Sequence, residues 1–306
     1  MSNAYKALTE SAAWIDLSMR GKILVTGEDR ARLLHALCTQ NVAAMKPGEG
    51  TYAFFLNAQG RILADANIFC FEDHFLLDTE PETARTLFEH IDRYIIADDV
   101  ALVDDTARTA TVSVEGPEAE SVLRGLGAVL PENDHATALW DGKIVVRVSS
   151  TGEPGYFIFL PAAAKEGLVA KLAGLPQADR AEARVVRIEH GLPRYGEEIT
   201  ERYLVQETAQ TRAVHFHKGC YLGQEIVERV RSRGQVHRVL RKLELDTREL
   251  PAAGTKVTTA GADAAEIASS VISPASGKAV ALAYVRTPFA EPGTVIDAGV
   301  FTARVS

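Results

Sequence analysis

The segment AVHFHKGCYLGQEIVERVRSRG, residues 213–234, places a thiol, two imidazoles and several cations beside an amphipathic run. Cys220 follows Lys218 and precedes a helix predicted to begin near Gly223. A neighbouring cation and the N-terminal end of a helix both favour a thiolate, which is the nucleophilic and metal-binding form of cysteine. Cys220 is therefore a candidate functional thiol, and the alternative is a buried structural thiol.

The same segment contains a His-x-His-x-x-Cys pattern formed by His215, His217 and Cys220. Imidazole and thiolate groups ligate zinc or iron, and strand alternation would put the two histidines on one face. No fourth ligand lies nearby, so two half-exposed strand histidines are the alternative interpretation.

Charged side chains in two other places could bind or react. Arg229, Arg231 and Arg233 either complement the C-terminal end of the predicted helix or clamp a carboxylate or phosphate. Asp65 lies in the mostly apolar strand GRILADANIF. It either faces solvent or, in a closed pocket, hydrogen-bonds a ring N–H or accepts a proton.

Composition limits the class of protein. The chain has 306 residues, of which 46% are hydrophobic and 24% charged, as expected for a globular protein of about two domains. No apolar run approaches the ~20 residues of a membrane span, and the N-terminus lacks a secretory pattern, so a cytoplasmic location is predicted. The three cysteines, Cys38, Cys70 and Cys220, are predicted to be free thiols. A net charge of −8 argues against non-specific nucleic-acid binding.

Alternating strand and helix patterns predict an α+β fold in the first two thirds of the chain. Helices are expected over residues 29–40, after Pro81, after Pro117, and over residues 162–172 and 178–191. The predicted strands are KILVTG, TYAFFL, ILADANIFCF, FLLDTE, ATVSVEG, and the hairpin of GKIVVRVSS with GYFIFLP around TGEPG. The β-α-β-β-α order of the second group indicates a ferredoxin-like unit.

After residue 236 the pattern changes to short strands separated by Gly and Pro. These predicted strands are VLRKLEL, TKVTTA, EIASSVI, KAVALAYV and TVIDAG. Such a series is typical of a small sandwich or barrel.

Three motifs carry a resemblance to a known family. KGCYLGQE (218–225) is similar to the K-G-C-[FY]-x-G-Q-E signature of the YgfZ-type folate-binding proteins, which are relatives of the glycine cleavage system T protein, GcvT. Residues 25–65 resemble the N-terminal block of that family. RIEHGLPRYGEEI (187–199) resembles a stretch of the aminomethyltransferases in which the glutamate at the Glu189 position contacts the pterin.

The resemblance implies a three-lobed ring that holds tetrahydrofolate with its pterin inside. The expected parts are a folate-binding body over residues 1–235, made of two intertwined α+β lobes with ferredoxin-like order, and a small β-barrel over residues 236–306. The second lobe is expected over about residues 106–178.

The resemblance also implies a set of folate-binding residues. Asp65 and Glu189 would anchor the pterin, and Arg229, Arg231 and Arg233 would meet the glutamate tail. Three further residues in the same motifs complete the expected cofactor-binding set: Tyr195, Lys218 and Gln224.

Three functional hypotheses follow from the resemblance. The first is a tetrahydrofolate-binding protein that supports iron–sulfur cluster assembly or repair through Cys220, with iron–sulfur proteins or assembly factors as partners. The second is a folate-dependent aminomethyl- or methyltransferase in which Asp65 positions the attacking nitrogen; the paired acids typical of such enzymes appear here as Ala64–Asp65. The third is a folate-sensing scaffold without chemistry. No nucleic-acid or membrane partner is predicted.

Overall fold

A computed structural model describes residues 2–234 and 236–306. Three β-sheets dominate it, each covered by helices or closed on itself. The helices are α1 (Asn3–Glu10), α2 (Arg30–Leu37), α3 (Ala84–Asp92), α4 (Ala119–Gly125), α5 (Lys165–Lys171), α6 (Arg180–Glu189) and α7 (Gln224–Arg233). Short 3₁₀ turns occur at Val42–Ala44, Ala162–Ala164, Val205–Thr208, Thr211–Ala213 and Thr287–Phe289.

The first sheet has five antiparallel strands, and three that are consecutive in the chain form a meander at one side of it. Its strands are β2 (Gly21–Thr26), β3 (Gly50–Leu56), β4 (Ile62–Cys70), β5 (His74–Thr79) and β6 (Ala101–Asp104). Their order across the sheet is β3-β4-β5-β2-β6, and α2 and α3 cover one apolar face. The strands predicted here are confirmed. Helix α2 ends earlier than predicted because Cys38 is extended and bridges to Phe55.

The second sheet takes its strands from distant parts of the chain. They are β1 (Ala13–Asp16), β7 (Thr109–Glu115), β8 (Thr137–Trp140), β9 (Lys143–Val146), β10 (Gly155–Pro161) and β11 (Gln177–Ala178). Their order is β11-β1-β7-β10-β9-β8, so the N-terminal strand β1 lies inside this sheet. The predicted β-α-β-β-α order missed β8, which pairs with β9. Asp141 and Gly142, which connect β8 to β9, have φ of 50° and 73°. They form a tight hairpin turn, which the Asp-Gly pair indicates.

The third sheet contains the C-terminal strands. They are β12 (Arg238–Leu245), β13 (Lys256–Thr259), β14 (Ala262–Ile272), β15 (Ala279–Arg286), β16 (Val295–Asp297) and β17 (Thr302–Val305). The two outer strands, β13 and β16, lie beside each other, so the sheet forms a nearly closed small barrel around its own core. The predicted strands are confirmed, and β17 was missed.

Apolar clusters join the three sheets. Phe69 on β4 packs against Phe159 on β10, with ring centroids 5.8 Å apart, and this contact joins the first two sheets. Tyr203 stacks on Tyr284 of β15 at 3.7 Å, beside Ile188 of α6, and joins that helix to the barrel. The α+β class and the C-terminal barrel are therefore confirmed.

The ends of the predicted domains stay a prediction. The predicted boundary at Gln235 lies outside the described residues, as does Met1. Among the described residues, no helix has both the length and the apolar character required to cross a bilayer.

Candidate functional site

A cavity of about 580 Å³ lies between the first two sheets and α6. Its wall is formed by β3 and β4, by the end of β1 and the segment after it, by the two residues that follow β5, by the loop between β9 and β10, and by α6 with the loop that follows it. The volume is within the ~300–1,000 Å³ typical of small-molecule sites. No barrel residue of the described chain lines this cavity.

Asp65 is the buried carboxylate of the cavity. It lies on β4 opposite Phe54 of β3, and its side chain accepts a hydrogen bond from the Tyr52 phenol at 2.7 Å. Only 6% of the residue is exposed. Burial, and then the nearby Glu80 carboxylate, raise the pKa of Asp65 to about 6. A carboxylate with a pKa in this range is suited to accept a proton at neutral pH.

A chain of ion pairs lies beside Asp65. Arg20 pairs with Asp78 at 2.8 Å and also with Glu80. Glu80 pairs in turn with Arg194 at 2.8 Å, and Arg194 contacts Glu82 at 2.6 Å. The neighbouring carboxylates hold the pKa of Arg20 well above its usual value despite its burial. These contacts join the end of β5 to the loop after α6 along that side of the cavity.

A second ion-pair cluster lies where α6 meets the cavity. Arg187 contacts the fully buried Glu198 at 2.8 Å and Glu197 at 2.6 Å, and it donates to the Leu192 carbonyl. Arg184, one turn earlier, donates to Glu197 at 2.6 Å. The helix thus presents guanidinium groups that are already held in place.

Two further cations of the cavity wall are not engaged by a carboxylate in the ion pairs of the described chain. Arg212 stacks on the Tyr52 ring at 5.1 Å, and Arg180 donates to the Met19 sulfur at 3.1 Å. His135 lies near Arg212; burial, and then that positive charge, lower its pKa to about 4, so its imidazole is neutral. Its backbone is left-handed, with φ of 62°. These groups can bind an anion or a polar ring.

Glu189, expected to contact the pterin, does not lie on this cavity. Its carboxylate accepts from the Tyr5 phenol at 2.9 Å and borders a second cavity of about 490 Å³ next to Lys242 of the barrel. Arg187, two positions earlier on α6, does line the main cavity. Residues two apart on a helix point roughly 200° apart, so Glu189 faces away from the main cavity.

Tyr195, Lys218 and Gln224 have other partners. The Tyr195 phenol donates to the Ile62 carbonyl at 3.1 Å, and Gln224, the first residue of α7, accepts from the Tyr221 backbone N–H at 3.3 Å. The Lys218 ammonium donates to three backbone carbonyls, those of His35, Cys38 and Gln40, at 2.6 to 2.8 Å. Lys218 therefore secures the end of α2.

The arginines of α7 lie on the surface. Arg229 and Arg233 are exposed, and Arg231 stacks on Phe216 at 4.7 Å. Helix α7 packs against the turn between β3 and β4, where Ile226 meets Gly60. None of the three arginines lines the cavity.

Cys220 is exposed just before α7, whereas Cys38 and Cys70 are buried. His215 is half-buried and His217 exposed, and their ring centroids are 6.4 Å apart. Within residues 2–234 and 236–306, no group of three or more His, Cys, Asp or Glu side chains is placed to hold a metal ion. The geometry therefore does not support the His-x-His-x-x-Cys metal interpretation.

Several cavity residues were missed by sequence reasoning. Tyr52 could have been found, because strand alternation puts it on the face of Phe54, next to Asp65 across the β3–β4 pair. Arg20 and His135 lie in loops and Arg212 lies in a 3₁₀ turn, far apart in sequence, and the three residues show no local signal. They meet only through the folded chain.

Comparison with known proteins identifies the family. Residues 1–218 match the family model for the GCVT N-terminal domain, and residues 238–306 match the glycine cleavage T-protein C-terminal barrel domain. An aminomethyltransferase of Rubrobacter xylanophilus is 30% identical over 290 residues, covering 92% of this chain and 78% of that protein. One from Streptomyces coelicolor is 28% identical over 306 residues, covering 94% and 82%.

The fold agrees with these matches. The crystal structure of the glycine cleavage system aminomethyltransferase T from Bartonella henselae superposes with a TM-score of 0.88 at 22% identity, over 99% of this chain and 86% of that one. The expected GcvT-like fold is thus confirmed. The chain belongs to the glycine cleavage T-protein family.

Proposed function

We propose that this protein is a tetrahydrofolate-dependent aminomethyl- or methyltransferase in which Asp65 is the catalytic carboxylate. The observation that carries the proposal is the state of Asp65. It is a buried acid at the cavity, its pKa is raised to about 6, and the Tyr52 phenol holds one of its oxygens at 2.7 Å. The names of the relatives, aminomethyltransferases, favour the same reaction class.

The cavity suits tetrahydrofolate in size and charge. A volume of about 580 Å³ accommodates a pterin with part of its tail. The pterin edge is rich in N–H donors, which the carboxylate of Asp65 can accept. Arg180 and Arg212 are available for the carboxylates of the glutamate tail, in place of the α7 arginines suggested by the sequence.

The side chains of this chain would act as follows. Tetrahydrofolate, when bound, supplies the nitrogen that accepts a one-carbon group. Asp65 takes at Oδ1, the oxygen that Tyr52 leaves free, the proton released by the nitrogen that bonds to the one-carbon group, and returns it to the departing donor amine. The ion pairs of Arg20 and Arg194 hold in place Glu80, the neighbouring carboxylate whose charge helps to raise the pKa of Asp65.

The test is product formation from tetrahydrofolate and an aminomethyl or N-methyl amine donor by the purified protein under anaerobic conditions. Asp65→Asn keeps the shape but removes the proton acceptor, so turnover should be abolished. Tetrahydrofolate should still bind, although more weakly, because the amide keeps one oxygen that can accept a pterin N–H. Asp263→Asn on the exposed barrel surface is the matched control and should keep full turnover. Equal turnover by the Asp65→Asn variant would refute the proposal.

A second function, support of iron–sulfur enzymes through Cys220, is favoured by one observation. Cys220 is exposed within the YgfZ-like motif KGCYLGQE, while Cys38 and Cys70 are buried. In cells that lack the native gene, this function predicts that Cys220→Ala fails to restore iron–sulfur enzyme activity while Asp65→Asn restores it. If Asp65→Asn fails and Cys220→Ala succeeds, the result supports the transferase. If tetrahydrofolate binds but neither substitution has an effect, the result supports a folate-sensing scaffold.

A further inference from the structure

One wall of the cavity is formed by an irregular segment rather than by a strand or helix. Strand β9 ends at Val146 and β10 begins at Gly155, and residues 147–150 and 152–155 line the cavity. We call residues 147–155 the cavity wall loop. Irregular loops usually vary in position, so an anchor is needed if this one is to bind a ligand reproducibly.

The anchor is the carboxylate of Glu115, the last residue of β7. Glu115 has no exposed surface. Its Oε1 accepts the Ser150 backbone N–H at 3.0 Å and the Ser150 hydroxyl at 2.7 Å. Its Oε2 accepts the Thr151 backbone N–H at 2.9 Å, the Thr151 hydroxyl at 2.5 Å and the Ser149 hydroxyl at 2.9 Å.

All of these donors belong to the cavity wall loop. A buried carboxylate is costly unless hydrogen bonds replace its lost hydration, and here both oxygens are supplied. No cation of the described chain forms an ion pair with Glu115. The loop and the carboxylate therefore depend on each other. The carboxylate receives its hydrogen bonds from the loop, and Glu115 is the charged group that the loop hydroxyls of Ser149, Ser150 and Thr151 contact.

A second contact ties the loop to α6. Gly152 has φ of +93°, and a Cβ placed there would come within 2.6 Å of the His190 Cβ. The next residue, Glu153, contacts His190 Nε2 at 2.9 Å. The loop is thus held between β7 and the end of the helix that carries Arg184 and Arg187 on the opposite side of the cavity.

We propose that Glu115 is a positioning residue of the cavity: it holds the cavity wall loop in the shape that binds tetrahydrofolate, without touching the ligand itself. This inference rests on the proposed function, since it assumes that tetrahydrofolate occupies this cavity. Glu115 acts through Ser149, Ser150 and Thr151.

The test compares three variants with the wild type. Glu115→Ala removes the anchor, and Glu115→Gln keeps one accepting oxygen but turns an amide NH₂ toward the Thr151 N–H. Thr151→Val is nearly isosteric, does not line the cavity, and removes a single hydroxyl donor. Glu120→Gln is the matched control, because Glu120 is a carboxylate of the same lobe that pairs with Arg124 outside the cavity.

Tetrahydrofolate affinity should fall in the order control, Thr151→Val, Glu115→Gln, Glu115→Ala. For Glu115→Ala the loss of affinity should be roughly 10- to 100-fold, because the ligand contacts of the loop are then misplaced. The KM for tetrahydrofolate should rise by a larger factor than kcat falls. Hydrogen exchange should accelerate in residues 147–155 and not in the barrel. If Glu115→Ala does not fold, Glu115→Gln and Thr151→Val decide.

The outcomes separate the two proposals. If the wild type binds tetrahydrofolate but Glu115→Gln and Thr151→Val bind it equally well, the positioning role is refuted and the proposed function stands. Faster exchange throughout the second lobe with unchanged affinity of the folded fraction likewise refutes positioning, since Glu115 is then only a stability residue. If the wild type itself binds no tetrahydrofolate, the proposed function fails, and the positioning role with it.

Discussion

The Tyr52 phenol donates to Oδ2 of Asp65 at 2.7 Å and leaves Oδ1 without a hydrogen bond from the described protein. The two residues come from neighbouring strands, where Tyr52 pairs with Asn67 and Phe54 pairs with Asp65. The pair is therefore a diagonal neighbour contact, fixed by the β3–β4 register. One oxygen orients the carboxylate and the other is free to react.

The first prediction concerns the pH dependence of turnover. In the proposed transferase the active form of Asp65 is the carboxylate, so kcat/KM should rise with pH through about 6, the raised pKa of this group. The Tyr52 hydrogen bond lowers that pKa, so Tyr52→Phe should move the rising limb to higher pH. The measurement is the pH profile of both proteins with saturating amine donor. An unmoved limb would show that another group titrates.

The second prediction concerns how stability depends on pH. The dependence is opposite to that of a salt-bridged acid, whose pKa is lowered in the folded state. The folded state raises the pKa of Asp65 from 3.8 to about 6, so the folded state binds its proton more tightly than the unfolded state. Below about pH 4 this group does not affect the free energy of unfolding. That free energy falls as the pH rises from about 4 to about 6, and above pH 6 it stays lower by roughly 3 kcal/mol.

Asp65→Asn removes that penalty. Its free energy of unfolding should exceed that of the wild type at pH 8 and approach it at pH 4, as measured by urea denaturation at the two pH values. A variant that is less stable at pH 8 would contradict the raised pKa. The expected result is a gain of stability with a loss of turnover, as for many catalytic residues.

The strands and most helices were predictable because their signals are local. Alternation predicted β2 to β5 and the barrel strands, since one face of each must be buried. Asp179 at the start of α6 accepts from the Glu182 N–H, a capping box that is visible in sequence. The missed strand β8 is short and half-exposed, so its pattern is weak.

The cavity was only partly predictable because it depends on tertiary contacts. The apolar strand around Asp65 leaves open whether its carboxylate faces solvent or a pocket, and the family resemblance is what points to folate. Glu189 and Lys218 were assigned to folate from motif position, which does not tell which way a side chain points. Glu115 shows no signal in the sequence, because its partners lie about 35 residues further along the chain.

The third prediction concerns the buried pair of Arg187 and Glu198. Arg187→Met leaves the fully buried Glu198 carboxylate without its cation, which should lower stability by about 3–5 kcal/mol. The double variant with Glu198→Gln should recover part of that loss, because no uncompensated charge remains. Arg85→Met, which breaks an exposed pair with Glu89, is the control and should have little effect. Denaturation midpoints that are equal for the Arg187 and Arg85 variants would refute the burial argument.

The fourth prediction distinguishes a structural Lys218 from a folate-binding one. Lys218→Met leaves three carbonyls at the end of α2 without their donor, so stability should fall by roughly 2–4 kcal/mol. Tetrahydrofolate affinity of the folded variant should be unchanged, because Lys218 does not line the cavity. Lys6→Met, in an exposed pair with Glu10, serves as the control. Lost affinity with normal stability would restore the motif-based assignment.

The fifth prediction concerns the three thiols. Burial raises the pKa of the Cys38 and Cys70 thiols, and both side chains are nearly or fully inaccessible, so neither should react in the native protein. Cys220 is exposed, and an aromatic disulfide reagent should therefore titrate one thiol in native protein and three in denaturant. Cys220→Ser should abolish the reaction of the native protein with the reagent.

If Asp65 alone performs the chemistry, protein blocked at Cys220 keeps its turnover, because this thiol lies before α7 and outside the cavity. If the blocked protein loses turnover but the Cys220→Ser variant keeps it, the blocking group only interferes sterically. If both the blocked protein and the Cys220→Ser variant lose turnover, the thiol takes part in the reaction, and a transferase that depends on Asp65 alone is refuted.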